Sequence, residues 1–218
     1  MAAKVQLSKE ERTLVMDPGW ILTKNSIMGK VGALFAELSG RMQEGGLPLL
    51  DGLLRADDGS SWVADGSLKV DDGLPPNWST PKISRGENYK GLPWVVLDYP
   101  RAFGKEDVLA IRTLFWWGHY FSVTLHLKGK YKDLFLPVIR QHLIILEQAG
   151  FYVGTSDDEW RHELDSDNYQ PLQAGMDTTI LEERTFLKLS AKCGLDRWDE
   201  ADSVLLELYR ILMGVING

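Results

Sequence analysis

The chain has 218 residues, 44 % hydrophobic and 25 % charged, with 24 basic against 31 acidic side chains and a net charge of −7. That size and composition fit a single globular domain spanning 1–218 with an ordinary core. The acidic balance speaks against a nucleic-acid partner, which needs a clustered basic face. No run approaches the roughly 18 apolar residues of a membrane span. Met1-Ala2-Ala3-Lys4 opens without the apolar core of a secretory signal, so a cytoplasmic location is expected. The single cysteine, Cys193, excludes an intramolecular disulfide and a zinc site built from several thiolates.

Ser8 and Glu11 have capping-box spacing, which predicts a short helix through about Met16. Asp17-Pro18-Gly19 reads as a turn, and a second helix is expected from Thr23 or Asn25. Its apolar stripe is Ile27, Met28, Val31, Leu34, Phe35, Leu38 and Met42, and Gly45-Gly46 ends it. Residues 45–91 are rich in Gly, Pro, Asp and Ser and read as one long irregular segment. Within it, Asp65-Gly66 joins a short hairpin, Ser61–Ala64 with Ser67–Val70.

The centre of the chain reads as β. Trp94–Tyr99 forms a strand that Pro100 closes, and Asp107–Trp117 and His119–Lys128 form a long hairpin about Gly118. Lys128, Lys130 and Lys132 follow as a solvated turn. A helix over Asp133–Ala149 comes next, its start pushed towards Leu136 by Pro137 and its end set by Gly150. Phe151–Thr155 and Thr185–Lys192 read as strands, and Asp199–Ile216 as a final helix with apolar residues on more than one side. The order implies an α+β fold. A mainly antiparallel sheet with a long central hairpin is packed by N-terminal helices, a middle helix and a C-terminal helix.

A two-residue turn at Gly118 pairs odd positions with even ones. That register puts Val108, Ala110, Arg112, Leu114 and Trp116 on the core face with His119, Phe121, Val123, Leu125 and Leu127. Arg112 would then be a charge among apolar side chains and would need a carboxylate, with Glu87 and Asp98 the candidates. Should Arg112 face a cavity beside Arg85, the two would bind an anion instead.

Nucleotide-binding glycine motifs, a nucleophile elbow and a zinc-helix motif are all missing. The four histidines are spread over three elements, so neither a metal nor a cofactor is expected. His142 reads as a satisfied boundary residue and Cys193 as a half-buried hydrophobe. Two polar–aromatic segments stand out. Lys82 to Arg101 contributes Arg85, Glu87, Asn88, Tyr89 and Asp98; Asp157 to Tyr169 contributes Trp160, Arg161 and His162. Together with Arg112 and His126 these are the candidate ligand-binding residues.

Two readings compete. The first is a non-catalytic binding or interaction module that associates as a homodimer, favoured by its aromatics and arginines. The alternative is a binding protein or enzyme with a pocket for a small anionic ligand over the hairpin. Arg85, Glu87 and His126 would then be its polar groups, with His126 or Glu87 as acid/base.

Overall fold

The computed structural model describes residues 5–45 and 79–217. Among these residues seven strands form one antiparallel sheet in the order β1-β2-β3-β4-β7-β5-β6. They are β1 Lys82–Tyr89, β2 Leu92–Phe103, β3 Val108–Trp116, β4 Tyr120–Lys128, β5 Tyr152–Gly154, β6 Tyr169–Pro171 and β7 Phe186–Gly194. The fold is α+β, with helices on one face of this sheet. Among the described residues no helix is long and apolar enough to cross a membrane.

Helix α1 (Lys9–Val15) carries the expected capping box, Ser8 accepting from the Glu11 amide and Glu11 from the Ser8 amide. Helix α2 runs from Pro18 to Glu44, longer than its apolar stripe predicts. Asp17 accepts from the Gly19 amide as N-cap and Pro18 takes the first helical position, so the apparent turn is a helix start. Met28, Val31, Phe35, Leu38 and Met42 are its buried side.

The middle helix is two. α3 (Lys130–Gln141) contains Pro137 in its interior, and α4 (Leu143–Gln148) follows a break at His142. Phe151 N–H reaches Leu146 O, Gly150 N–H reaches Glu147 O, and Gly150 has φ +74°, a Schellman end as its glycine predicts. A short helix α5 spans Thr179–Glu183, and a 3-10 turn at Leu195–Glu200 leads into α6, Ala201–Asn217. The several apolar sides of α6 are buried in this chain's own core, Leu205, Leu206, Tyr209, Leu212 and Ile216 among them.

The register corrects the expected hairpin faces. Trp116 pairs with Tyr120 around a three-residue loop, with Gly118 at φ +73°, so like parities pair. The helix-covered face carries Leu109, Ile111 and Phe115 with Phe121, Val123, Leu125 and Leu127. Arg112 lies on the opposite, open face, beside Leu114, Trp116, Ser122, Thr124 and His126.

The end of the segment read as irregular is ordered. Residues 82–91 make β1 and a two-residue turn in which Lys90 and Gly91 have φ +51° and +82°. The hairpin expected over 61–70 lies outside the described residues.

Nor does Pro100 close its strand. β2 continues to Phe103 through a bulge, with pairing that steps from Asp98↔Arg112 to Arg101↔Ala110. One extra residue inverts the parity of the strand beyond it. Ala102 turns to the core while Arg101 and Phe103 come out on the open face.

Candidate functional site

Residues 155–168, between β5 and β6, cross the open face of the sheet as a strap. Backbone carbonyls do much of the fastening. Buried Lys188 donates to Glu159 O at 3.1 Å and to Arg161 O. Arg184 donates to Ser156 O at 2.9 Å and to Thr155 O. Tyr120 donates to His162 O at 3.2 Å and accepts from the Leu164 amide at 2.8 Å. Lys132 is not in a solvated turn. It is buried, with its ammonium on the carbonyls of Glu182 and Arg184. Lys128 reaches the strap through Glu159 at 2.9 Å.

Between the strap and the first hairpin lies a cleft of about 630 Å³. Trp94, Val96 and Leu114 supply an apolar floor, and Asp98, Arg112 and His162 a polar group beside it. Tyr89, Phe103 and Trp160 stand around it, with Lys82, Ser84, Asn88 and Arg101 completing the lining. The volume is that of a small-molecule pocket. The Trp94 indole lies so close over Gly86 that a Cβ there would meet it at 2.6 Å. That close approach is a physical reason for glycine at this strand position.

Arg112 donates from Nε to Asp98 Oδ1 at 2.7 Å and from Nη2 to Asp98 Oδ2 at 2.9 Å. Its Nη1 lies 3.2 Å from His162 Nε2. A guanidinium only donates, so Nε2 accepts and the neutral imidazole carries its proton on Nδ1. Burial, with Lys188 and Arg112 as nearby cations, holds the His162 imidazole well below its ordinary range. Arg112 spends three of its five N–H bonds on Asp98 and His162, which leaves two. Its guanidinium also sits over the Phe103 ring, 5.7 Å from the centroid.

Behind the cleft the strap buries further charge. Glu163 accepts from Tyr89 and pairs with Lys90. Burial pushes its carboxyl up, but these partners outweigh it and hold the pKa at about 2. Lys188 is lowered to about 7, first by burial and then by Arg112. His126 sits between Trp160 and Phe186, its Nε2 3.2 Å from Glu159 Oε2 but off a hydrogen-bonding line, so neither atom has a hydrogen-bond partner among the described residues. Burial, with Lys188 next, lowers its imidazole to about 3.

The structure therefore brings six of the candidate residues to one cleft: Asn88, Tyr89, Asp98, Arg112, Trp160 and His162. Four lie elsewhere. Arg85 is exposed on the helix-side parity of β1, paired in register with Val95, and Glu87 pairs with Lys24 of α2. His126 is sealed under the strap, and Arg161 pairs with Asp165 and Asp167 within it. Phe103 is the lining residue with no sequence signal, since it reaches the open face only through the bulge. His142 is the expected boundary residue, 2.8 Å from Val138 O through Nδ1, whereas Cys193 is fully buried.

Among the described residues no cluster of three His, Cys, Asp or Glu side chains is placed to hold a metal ion. Comparison with protein-family models, with curated proteins and with solved structures finds no match.

Proposed function

We propose that this protein binds a small organic anion in the cleft between its first hairpin and the strap. The observation that carries the reading is the donor excess of the lining. Three cationic side chains, Lys82, Arg101 and Arg112, face one carboxylate, Asp98, whose two oxygens are both engaged by Arg112. Asn88 spends its carbonyl oxygen on the Gly91 amide, and His162 spends its lone pair on Arg112. The charged and imidazole groups left over can only donate. A ligand rich in acceptor oxygens fits such a site, on a chain whose net charge is −7.

The same count of donors and acceptors favours binding over acid/base catalysis. His162 keeps no basic nitrogen free, and the Asp98 carboxylate is held through both oxygens by the Arg112 guanidinium. Thermal shift against matched organic anions and cations tests the reading, because a ligand of the native state raises the melting temperature by mass action. Anions are expected to stabilise and cations not to. Equal shifts from both, or from neither, would remove the proposal.

A second reading has its own observation. Leu14, Val15 and Met16 of α1 and its end, with Trp20, Ile21 and Leu22 at the start of α2, are large apolar side chains left exposed. This band supports an interaction module and self-association, and cytoplasmic residence belongs with that proposal. A monomer mass by light scattering at micromolar concentration would set self-association aside.

A further inference from the structure

We infer that the ligand is a planar aromatic monocarboxylate, its carboxylate on Arg112 and His162 and its ring against Phe103 and Trp160. The inference rests on the anion-binding reading and narrows it.

Charge sets the valence. Lys82, Asp98 and Arg112 are consecutive partners across β1, β2 and β3, a row of two cations and one carboxylate. His162 adds nothing, because its Nε2 accepts from Arg112. One positive charge is left in the row, and a monoanion cancels it. Arg101 stands outside this row, opposite Ala110, with its Nε donating to Thr80 O at 3.0 Å. A phosphate dianion at the floor would leave a negative charge in a partly desolvated place, which is costly.

Donor geometry sets the head group. The two remaining N–H bonds of Arg112 and the Nδ1–H of His162, which has no protein acceptor among the described residues, suit the two oxygens of a carboxylate. A carboxylate that pairs with a guanidinium lies in its plane. In a conjugated acid the ring shares that plane. The guanidinium carbon here lies over the Phe103 ring, 5.7 Å from its centroid, and that centroid is 6.3 Å from that of Trp160.

The aromatic wall sets the body. Phe103 is 40 % and Trp160 50 % exposed, though both stand at a cleft. Large aromatics left open beside a charged head-group site are the means by which pockets take apolar ligand surface. With Trp94 flat against Gly86 as floor, the cleft offers ring faces to a ring.

Calorimetric titration of the full chain at neutral pH with benzoate, cyclohexanecarboxylate, benzamide and phenyl phosphate tests this. Benzoate is expected to bind, and the other three at least about tenfold more weakly. Trp160→Ala, at a half-exposed position, is expected to weaken benzoate about tenfold with an unchanged melting temperature. Phenyl phosphate or cyclohexanecarboxylate matching benzoate would overturn the aromatic monocarboxylate and leave the anion site standing. So would a Trp160→Ala variant that binds benzoate as well as the parent. Benzamide matching benzoate, or no heat from any of the anions up to about 10 mM, would overturn the anion site itself.

Discussion

Asp98 and Arg112 face each other across β2 and β3 as register partners, joined by two parallel hydrogen bonds of 2.7 and 2.9 Å. Both side chains are largely covered, so each is the other's replacement for water. Removing the guanidinium strands a carboxylate. Arg112→Ala is expected to cost about 3 kcal/mol, chiefly through the orphaned Asp98. The double variant with Asp98→Ala should then cost clearly less than the two single variants added together. Urea melts of all four proteins check this, and additive losses would mean that the pair is not coupled.

Gly86 makes the second test. Its missing Cβ is the space that the Trp94 indole occupies. Gly86→Val is expected to lower stability by about 1–3 kcal/mol, as overpacking does. It should also change the near-ultraviolet dichroism as the floor of the cleft tilts. A variant with the parent's spectrum and midpoint would show that Trp94 adapts without loss.

Two neutral histidines, His126 under the strap and His162 within it, fix the acid side of the stability profile. The unfolded chain protonates them near 6.5, but His126 in the folded protein only at about 3 and His162 well below 6.5. The unfolded state thus binds more protons below 6.5, and stability falls as pH drops through that range. Glu163, ordinarily near 4.5 and here at about 2, adds a further loss below 4.5. His126→Phe, beside Trp160 and Phe186, should flatten the fall between pH 6.5 and 4.5. Equal slopes in chemical denaturation at stepped pH would contradict the assignment.

Lys188 acts above neutrality. Its folded pKa of about 7 lies below the ordinary 10.5, so from about 7 upwards the folded state holds fewer protons than the unfolded. Stability should therefore rise with pH above 7. The clean window ends near 9.0, where the Cys193 thiol, raised first by burial, begins to act in the opposite sense. Lys188→Met is expected to reduce the rise but not abolish it, because burial lowers Lys132 as well. An unreduced slope between pH 7 and 8.5 would show that Lys188 stays charged throughout.

Much of this was legible in the sequence, and the misreadings share a cause. The apolar alternation of β4, the stripe of α2 and the capping box of α1 announce their faces through periodicity, and the structure follows them. The need of Arg112 for a carboxylate, with Asp98 as a candidate, followed from the cost of burying a lone charge. The hairpin register did not follow, because one loop residue more or fewer at Trp117-Gly118-His119 flips one strand against the other. The bulge at Tyr99-Pro100 had the same effect on Phe103. Parity carries no local trace of an inserted residue: at the hairpin it moved a whole face, and at Pro100 it hid the strand's continuation. The strap has no period at all. Only its mixture of Trp, Arg, His and carboxylates marked it, and that mixture cannot tell Trp160 and His162, which line the cleft, from Arg161, which ties the strap to itself.

The carbonyl fastenings of the strap form a relay that begins far from any ligand. Lys132 of α3 holds the carbonyls of Glu182 and Arg184; the Arg184 side chain holds those of Thr155 and Ser156; Lys188 of β7 holds those of Glu159 and Arg161. One wall of the cleft is thus moored, through the end of α5, to a helix on the other side of the sheet. Leverage passes along that mooring. A shortened side chain at Lys132 slackens the 182–184 segment, then the root of the strap, and so loosens the seat of Trp160 and His162 without touching either.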